Sequence, residues 1–398
     1  METLVELFDN EPIKNILACR IFKPQTVLFI CDDKVSQQKK DVTSRMLENW
    51  ELGNVKTVFY TVDTSEYSRI YEKIETLLNS YPNCVFDITG GRDPVLFASG
   101  VLCSKNNIPS FFIDLHNLTF HNVFGCENLK NDFVLPRFRV KDILASAGAK
   151  IEGYGKYRPD KRDTQTADDI LKIWDILWKS PSAWAAQVAW FQQALKSDGH
   201  KSSEQLVYES FLELKANGVE TIANTQILEA LYAMGALTHL TFNKNHVNLT
   251  FKNVPLKNCL MSHGIWLELY GFLKAYNVNW FNDVKTSVMI GWADRVLQPY
   301  DTRNEIDIIL VKGITPVFIS CKMGIPNALA LSEIKTLAMR FGGVMAKTVL
   351  FSASDVKNGN PTIYNRACEL GIYIVDKADI DADNVAKRFM QIANAYYI

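Results

Sequence analysis

The sequence predicts an α/β protein made of three consecutive structural units, and three observations support this prediction. The 398 residues exceed what one hydrophobic core usually organises, and a typical domain of about 150 residues gives two or three domains. The first third alternates short apolar runs with helical spacing, and the last third places hairpin-forming strands between two amphipathic helices. With 47% hydrophobic and 22% charged residues the chain has a folded composition, so long disordered segments are not expected.

The first unit, residues 1–147, is predicted to contain a parallel sheet. Strand-like runs lie at residues 26–31, 55–61, 84–88 and 110–114, and helical patterns lie at residues 36–50, 67–81 and 94–105. Nearly continuous apolar strands that alternate with helices indicate a parallel sheet covered on both faces. We therefore expect a Rossmann-like domain.

The second unit, residues 166–257, is predicted to be a winged-helix-like module. The preceding residues, 148–166, are rich in Gly and charge and break the periodicity, so we interpret them as a linker. Helical spacing and then strand-like alternation follow, at residues 168–195, 202–217, 224–234 (with Asn224 or Thr225 as the N-cap) and 237–251.

A plain connector without nucleic-acid contacts is an equally good interpretation of the second unit. Its basic residues make only a modest patch. They are Lys244, His246, Lys252 and Lys257.

The third unit, residues 258–398, is predicted to be an αβ core. Amphipathic helices are predicted at residues 264–275 and 328–341, and strands at residues 283–292, 305–311, 316–322, 347–351 and 372–375. The resulting order is a helix, three strands that include a hairpin, a second helix, and further strands.

A candidate catalytic site lies at one end of this hairpin. Asp307 is near the start of one arm and Lys322 closes the other, so the tight turn can return both side chains to the same end of the sheet. The backbone carbonyl of Cys321 is expected near the same edge. Phosphodiester hydrolysis needs carboxylates to hold Mg²⁺ or Mn²⁺ and a cation near the developing charge. Asp307 and Lys322 could supply two of these parts.

The pattern Glu305-Ile-Asp307 followed by Ser320-Cys-Lys322 resembles the PD-(D/E)xK nucleases. This superfamily has the same order of helices and strands, a restriction-endonuclease-like core. Ser320 stands where the second carboxylate is normally found. Related nucleases place a ligand on the preceding helix, so the resemblance implies Glu268 as the substitute, with Glu333 as the second choice.

The implied catalytic residues are Glu268, Asp307 and Lys322, and the implied metal ligands are Glu268, Asp307 and Cys321 for Mn²⁺ or Mg²⁺. Each also has an ordinary structural interpretation. An Asp at a strand start is often a turn cap, a Lys at a strand end often protects a sheet edge, and Glu268 could be the polar face of its helix. An inactive descendant of a nuclease fold is a further alternative.

A candidate anion-binding loop follows the predicted strand at residues 84–88. Two consecutive glycines let backbone N–H groups approach an anion at a helix N-terminus, and an arginine follows them. A phosphate-bearing ligand is therefore expected, although such a sequence is also found in a simple tight turn. The candidate ligand-binding residues are Asp32, Thr89, Gly90, Gly91 and Arg92.

The position of this loop resembles the CARF domains of type III CRISPR ancillary proteins. Together with the C-terminal core, the chain resembles over nearly its full length the CARF nucleases that cyclic tetra-adenylate activates. The resemblance implies a cyclic oligoadenylate ligand bound across a homodimer, because a two-fold symmetric ring needs two copies of the loop. It also implies metal-dependent cleavage of DNA, with RNA as a second potential substrate, in antiviral defence.

Composition excludes other classes of protein. The eight cysteines form no CxxC pair, so a structural zinc site is not indicated, and the apolar runs are too short to span a membrane. The N-terminus does not have a secretory pattern, so a cytoplasmic protein is expected. With a net charge of -1, nucleic acid must be bound by a local patch or by metal ions.

Two rival functions are consistent with the sequence. One is a ligand-controlled transcription regulator whose winged helix binds duplex DNA while an inactive nuclease-like domain dimerises. The other is a DNA-repair nuclease in which the Rossmann-like domain is structural.

Overall fold

A computed structural model describes residues 1–49, 55–155, 164–195, 204–216, 218–292 and 304–395. The N-terminal sheet has the strand order β3-β2-β1-β4-β5-β6, in which β6 alone among these strands is antiparallel to its neighbour. Its strands are β1 (Thr3–Leu7), β2 (Thr26–Asp32), β3 (Lys56–Val62), β4 (Cys84–Asp87), β5 (Ser110–Asp114) and β6 (Thr119–Phe124). The helices of this part are α1 (Leu17–Phe22), α2 (Gln37–Asn49), α3 (Tyr67–Ser80), α4 (Asp93–Asn106) and α5 (Val140–Ser146).

The predicted alternation of strands and helices is confirmed, although the predicted helix end at Trp50 lies outside the described residues. β1, which lies at the centre of the sheet, was not predicted. Glu6 interrupts the apolar pattern of β1 but is only 1% exposed, and its partner in β4 is Asp87. The chain continues from β1 to β2 and β3 on one side of the sheet, and from β4 to β5 and β6 on the other side. The carboxyl ends of β1 and β4 therefore flank the crevice where parallel sheets bind ligands.

The central part contains a hairpin and a strand that packs beside it. Its elements are α6 (Thr164–Lys179), α7 (Pro181–Ala194), β8 (Val207–Phe211), β9 (Glu213–Ala216), β10 (Val219–Ile222), α8 (Thr225–Ala233), β11 (Leu237–Asn243), β12 (His246–Phe251) and α9 (Val254–Leu260). One sheet has the order β11-β12-β8, and β9 pairs with β10. The predicted hairpin and the Asn224 cap are confirmed, since the Asn224 side chain accepts a hydrogen bond from the N–H of Ile227.

The helix predicted at residues 202–217 is wrong, because the described residues there form β8 and β9. Tyr208 and Ser210 are buried whereas Val207, Glu209 and Phe211 are exposed. This alternation with a period of two residues is that of a strand with one buried face. Residues 202, 203 and 217 lie outside the described residues.

The C-terminal part contains the predicted helices and strands in the predicted order, and four helices that were not predicted follow its fourth strand. Its elements are α10 (Ile265–Asn277), β13 (Asp283–Trp292), β14 (Asn304–Lys312), β15 (Thr315–Lys322), α11 (Ala328–Gly342), β16 (Lys347–Ser352), α12 (Val356–Gly359), α13 (Pro361–Glu369), β17 (Tyr373–Val375), α14 (Lys377–Asp381) and α15 (Val385–Asn394). β13, β14 and β15 are antiparallel, and β15, β16 and β17 are parallel. α10 and α11 cover opposite faces of this sheet. A side chain from either helix can therefore reach the end of the β14–β15 hairpin.

The predicted linker at residues 148–166 is partly wrong. Its first residues form β7 (Ala149–Tyr154), which pairs with β13 at the edge of the C-terminal sheet. Two glycines within and after this segment hid the strand from a pattern-based analysis. Residues 156–163 of the predicted linker lie outside the described residues.

Hydrophobic packing joins the parts of the chain. One buried cluster contains Phe29 and Leu144 from the N-terminal part together with Ile309 and Phe318 from the C-terminal sheet. The contact gives the two sheets a common apolar interior, through which a shift in one part can reach the other. No helix among the described residues is long and apolar enough to cross a membrane.

Candidate functional site

The predicted catalytic residues come together in one cavity at the end of the C-terminal sheet. Glu268 lies in the first turn of α10, Asp307 in β14, and Cys321 and Lys322 at the end of β15. All four line the same cavity, together with Glu305. Three separate elements thus bring acidic groups and one lysine to a single place.

Glu268 is held by two hydroxyl groups of β13. It is 7% exposed, and its Oε1 accepts a hydrogen bond from Thr286 Oγ1 at 2.6 Å and another from Ser287 Oγ. Burial raises the pKa of Glu268 to about 8, and the negative charge of Asp307 adds to this effect. Neither hydroxyl could be predicted from the sequence, because the packing of α10 against β13 is a tertiary contact.

Asp307 is fixed by the backbone of the neighbouring strand. Its Oδ2 accepts a hydrogen bond from the N–H of Cys321 at 2.6 Å. Burial raises the pKa of Asp307, whereas this hydrogen bond and the charge of Lys322 oppose the rise. The Asp307 side chain is therefore oriented within the site and has a cation beside it.

The donor set of this cavity suits a hard divalent cation. Among the residues that the structure describes, no group of three or more His, Cys, Asp or Glu side chains is arranged to hold a metal ion. Glu268 and Asp307 provide two carboxylates, and Mg²⁺ is commonly held by one or two carboxylates with water as the remaining ligands. Burial raises the pKa of the Cys321 thiol well above its ordinary value, and hard cations prefer oxygen ligands, so the backbone carbonyl of Cys321 is the better candidate ligand.

Glu333 approaches Asp307 from the opposite face of the sheet. It lies on α11 and lines a second cavity with Ser320, Asp307 and Lys322. Its charge contributes to the raised pKa of Asp307. The two glutamates that the sequence analysis considered as substitutes for the missing carboxylate thus lie on either side of Asp307.

The predicted ligand loop lies between β4 and α4, and two of its predicted residues are in contact. Arg92 donates a hydrogen bond to Asp32 Oδ2 at 2.8 Å across the ends of β4 and β2. The Asp32 side chain is 4% exposed and that of Arg92 is 44% exposed. Asp32 therefore orients the guanidinium group, and the Arg92 side chain stays partly exposed.

The backbone of the loop requires glycine at Gly91 and leaves little room for a side chain at Gly90. Gly91 has φ +100°, and a Cβ there would lie 2.6 Å from Leu7 Cβ. The Gly91 N–H donates to Asp9 Oδ2 at 3.1 Å, so a carboxylate of this chain occupies the place expected for an anion. Asp9 was not predicted to lie at this site, because β1, which precedes it, was not predicted either. At Gly90, a Cβ would lie 3.1 Å from Asp9 Cβ.

The hydroxyl of Thr89 has internal partners. It donates to Asp87 Oδ1 and accepts a hydrogen bond from the N–H of Ile113 at 2.8 Å. Thr89 thus ties the loop to β4 and β5. These contacts shape the loop, and the predicted contact of Thr89 with a ligand stays a prediction.

Asp9 also begins a connection to the C-terminal part. Its Oδ1 accepts a hydrogen bond from the N–H of Glu11 at 2.8 Å. Glu11 Oε2 in turn accepts one from the N–H of Val344, just after α11, at 3.0 Å. Hydrogen bonds therefore run from the Gly91 loop to the end of the helix that carries Glu333.

An exposed apolar surface lies on the N-terminal part. Phe97 on α4 is 64% exposed, and a shallow depression beside it is lined by Gly100, Val101 and Phe112. The ring of Tyr67 lies 5.5 Å from that of Phe97. Exposed apolar clusters of this kind mark interaction surfaces.

The basic patch predicted in the central part is mostly engaged in internal contacts. Lys252 pairs with Asp169 at 2.6 Å, and the buried Lys257 donates to the carbonyl of Gln205 at 2.8 Å. These contacts favour the interpretation of this part as a connector.

Comparisons with known proteins support the fold. No protein-family model matches the chain, and no curated protein matches its sequence. Protein VC1899 from Vibrio cholerae has a solved structure with a TM-score of 0.76 and 17% identity, covering 100% of this chain and 99% of that chain. Can2 from Sulfobacillus thermosulfidooxidans, solved in complex with cyclic tetra-adenylate, has a TM-score of 0.65 and 15% identity, covering 99% and 100%. The predicted α/β fold class is confirmed for the part of the chain that the structure describes.

Proposed function

We propose that this chain is a metal-dependent nuclease of type III CRISPR antiviral defence, activated by cyclic tetra-adenylate and acting on DNA or RNA. The observation that carries the proposal is the meeting of Glu268, Asp307 and Lys322 in one cavity. In this proposal residues 1–147 sense the ligand, residues 166–257 connect the two other units, and residues 258–398 cleave the nucleic acid.

The side chains of the cavity have complementary tasks in this proposal. Glu268 and Asp307, with the carbonyl of Cys321, would hold Mg²⁺ or Mn²⁺, which when bound supplies an activated water and neutralises phosphate charge. Lys322 would contact the phosphate that is cleaved. Hydrogen bonds hold both carboxylates in position, and a divalent cation would favour their ionised forms over the protonated forms that burial favours.

Support for the ligand comes from the loop after β4. The full-length structural likeness includes a protein that binds cyclic tetra-adenylate. A phosphate of the ligand would compete with Asp9 for the N–H of Gly91, and Arg92 would contribute charge-assisted hydrogen bonds. Because the ring has two-fold symmetry, we propose a homodimer in which the apolar surface around Phe97 is covered by a second copy.

The link from the loop to the nuclease would pass through Glu11. If the ligand displaces Asp9, the hydrogen bonds that hold Glu11 against Val344 change, and α11 with Glu333 can move relative to Asp307. A ligand acts in this way when it favours one arrangement of the packed units over another.

A cleavage assay tests the proposal. Purified full-length protein is incubated with single-stranded and duplex DNA and RNA, with or without Mn²⁺ and cyclic tetra-adenylate, beside Asp307→Ala and Lys322→Ala. Exposed Glu229 on α8 provides a matched control as Glu229→Gln. We expect cleavage that needs both Mn²⁺ and ligand, is lost in both site variants, and is retained in the control. Equal cleavage with and without cyclic tetra-adenylate would support the DNA-repair nuclease instead.

One observation favours the second candidate function, a ligand-controlled transcription regulator. Ser320 occupies the usual carboxylate position, and the described residues contain no three-ligand metal group. Binding to a defined duplex, without cleavage in any metal, would support this regulator.

A further inference from the structure

We infer that Ser287 is a positioning residue, which orients the Glu268 carboxylate toward a divalent metal ion. The inference rests on the proposed function and adds a residue that neither the motif nor the sequence pattern identifies. It starts from the two hydroxyl groups that contact Glu268.

Thr286 and Ser287 are neighbours in β13, yet their hydroxyls donate to the same oxygen, Glu268 Oε1. Successive side chains of a regular strand point to opposite faces of the sheet. Both hydroxyls can meet on one oxygen only because Ser287 leaves the strand conformation. Its φ is +49°, in the left-handed region that non-glycine residues rarely adopt.

The surrounding backbone holds Ser287 in this conformation. Pairs on either side, Thr286 with Ile308 and Val288 with Ile306, keep the register and set Ser287 opposite Asp307. The N–H of Gly155, just after β7, donates to the Ser287 carbonyl at 2.9 Å. A Cβ at Gly155 would lie 2.6 Å from Ser287 Cβ, so this close approach requires glycine.

Because both hydroxyls bond to Oε1, the other carboxylate oxygen of Glu268, Oε2, has a different environment. With Oε1 occupied by two hydroxyls, no hydrogen bond from the described residues reaches Oε2. Glu268 and Asp307 line the same cavity, so Oε2 is available to a cation bound there. Groups that orient a metal ligand typically change metal affinity 10–100-fold when they are removed, by order of magnitude.

The test measures Mn²⁺ binding directly, without nucleic acid, by titration of full-length protein with detection of free Mn²⁺ by electron paramagnetic resonance. Ser287→Ala and Ser287→Gly both remove the hydroxyl, and glycine also relieves the left-handed backbone. We expect both variants to weaken Mn²⁺ binding about tenfold or more, with an unchanged circular dichroism spectrum. Exposed Ser180 serves as the control, as Ser180→Ala.

A double-mutant cycle with Glu268→Ala separates orientation from general packing. If Ser287 acts through Glu268, then Ser287→Ala produces no further loss of affinity in the Glu268→Ala background. Wild-type affinity in both Ser287 variants, or an equal loss in both backgrounds, would overturn the inference while leaving the nuclease proposal intact. If the wild-type protein binds no Mn²⁺, the proposed metal site and this inference both fail.

Discussion

Asp87→Asn tests the electrostatics beneath the proposed ligand loop between β4 and α4. Asp87 is 1% exposed and pairs in register with the buried Glu6, and its Oδ2 has no hydrogen-bond partner among the described residues. Burial raises the pKa of Asp87 to about 7 from an ordinary value of 3.8. The folded protein therefore binds this proton more tightly than the unfolded chain does. Protonated Asp87 therefore contributes to the stability of the fold. This contribution is fully present below the pKa of the unfolded state and is lost as the pH rises through 7.

The magnitude follows from these two pKa values. Between pH 5.5 and 8.5, titration of Asp87 should lower the free energy of unfolding of the wild-type protein by about 2 kcal/mol. The asparagine has no such titration and can still accept the hydrogen bond from the Thr89 backbone. When the pH rises from 5.5 to 8.5, the free energy of unfolding of Asp87→Asn should therefore rise by about 2 kcal/mol relative to that of the wild type.

Urea unfolding of the full-length chain, followed by circular dichroism, measures this difference. The matched control is Asp93→Asn, at an exposed position in the first turn of α4. The reasoning is refuted if the difference between Asp87→Asn and wild type is the same at both pH values to within about 0.5 kcal/mol, the usual scatter of such comparisons.

Three further changes probe coupling, assembly and packing. Glu11→Ala removes the contact with Val344, so activation of cleavage by cyclic tetra-adenylate should fall about fivefold or more, and an unchanged activation ratio would contradict the link. Phe97→Asp should split the proposed homodimer and halve the mass measured by light scattering after size-exclusion chromatography, and an unchanged dimer mass would exclude the Phe97 surface as its interface. Gly271→Ala places a Cβ 2.7 Å from Phe351 Cε1 and should destabilise the protein by about 1–3 kcal/mol, whereas an unchanged or higher melting temperature would argue against this packing.

The sequence predicted most of the fold because its signals are local. Hydrophobic periodicity located α10, α11 and the hairpin strands close to their observed bounds. The meeting of Asp307 and Lys322 was predictable for the same reason, since the geometry of a hairpin follows from its register and turn. Glu268 was found through a family resemblance, because nothing in the spacing of α10 indicates which sheet position it faces.

The tertiary structure decided those features that depend on contacts between residues far apart in the sequence. β7 is a strand because it pairs with β13 more than 130 residues later in the chain, as in the partner residues Ala149 and Trp292. The sequence specified the apolar faces and the chemical groups, since these depend on residues close together along the chain. Packing decided which buried polar group meets which, because a hydroxyl such as that of Ser287 takes its direction from a backbone that other segments hold in place.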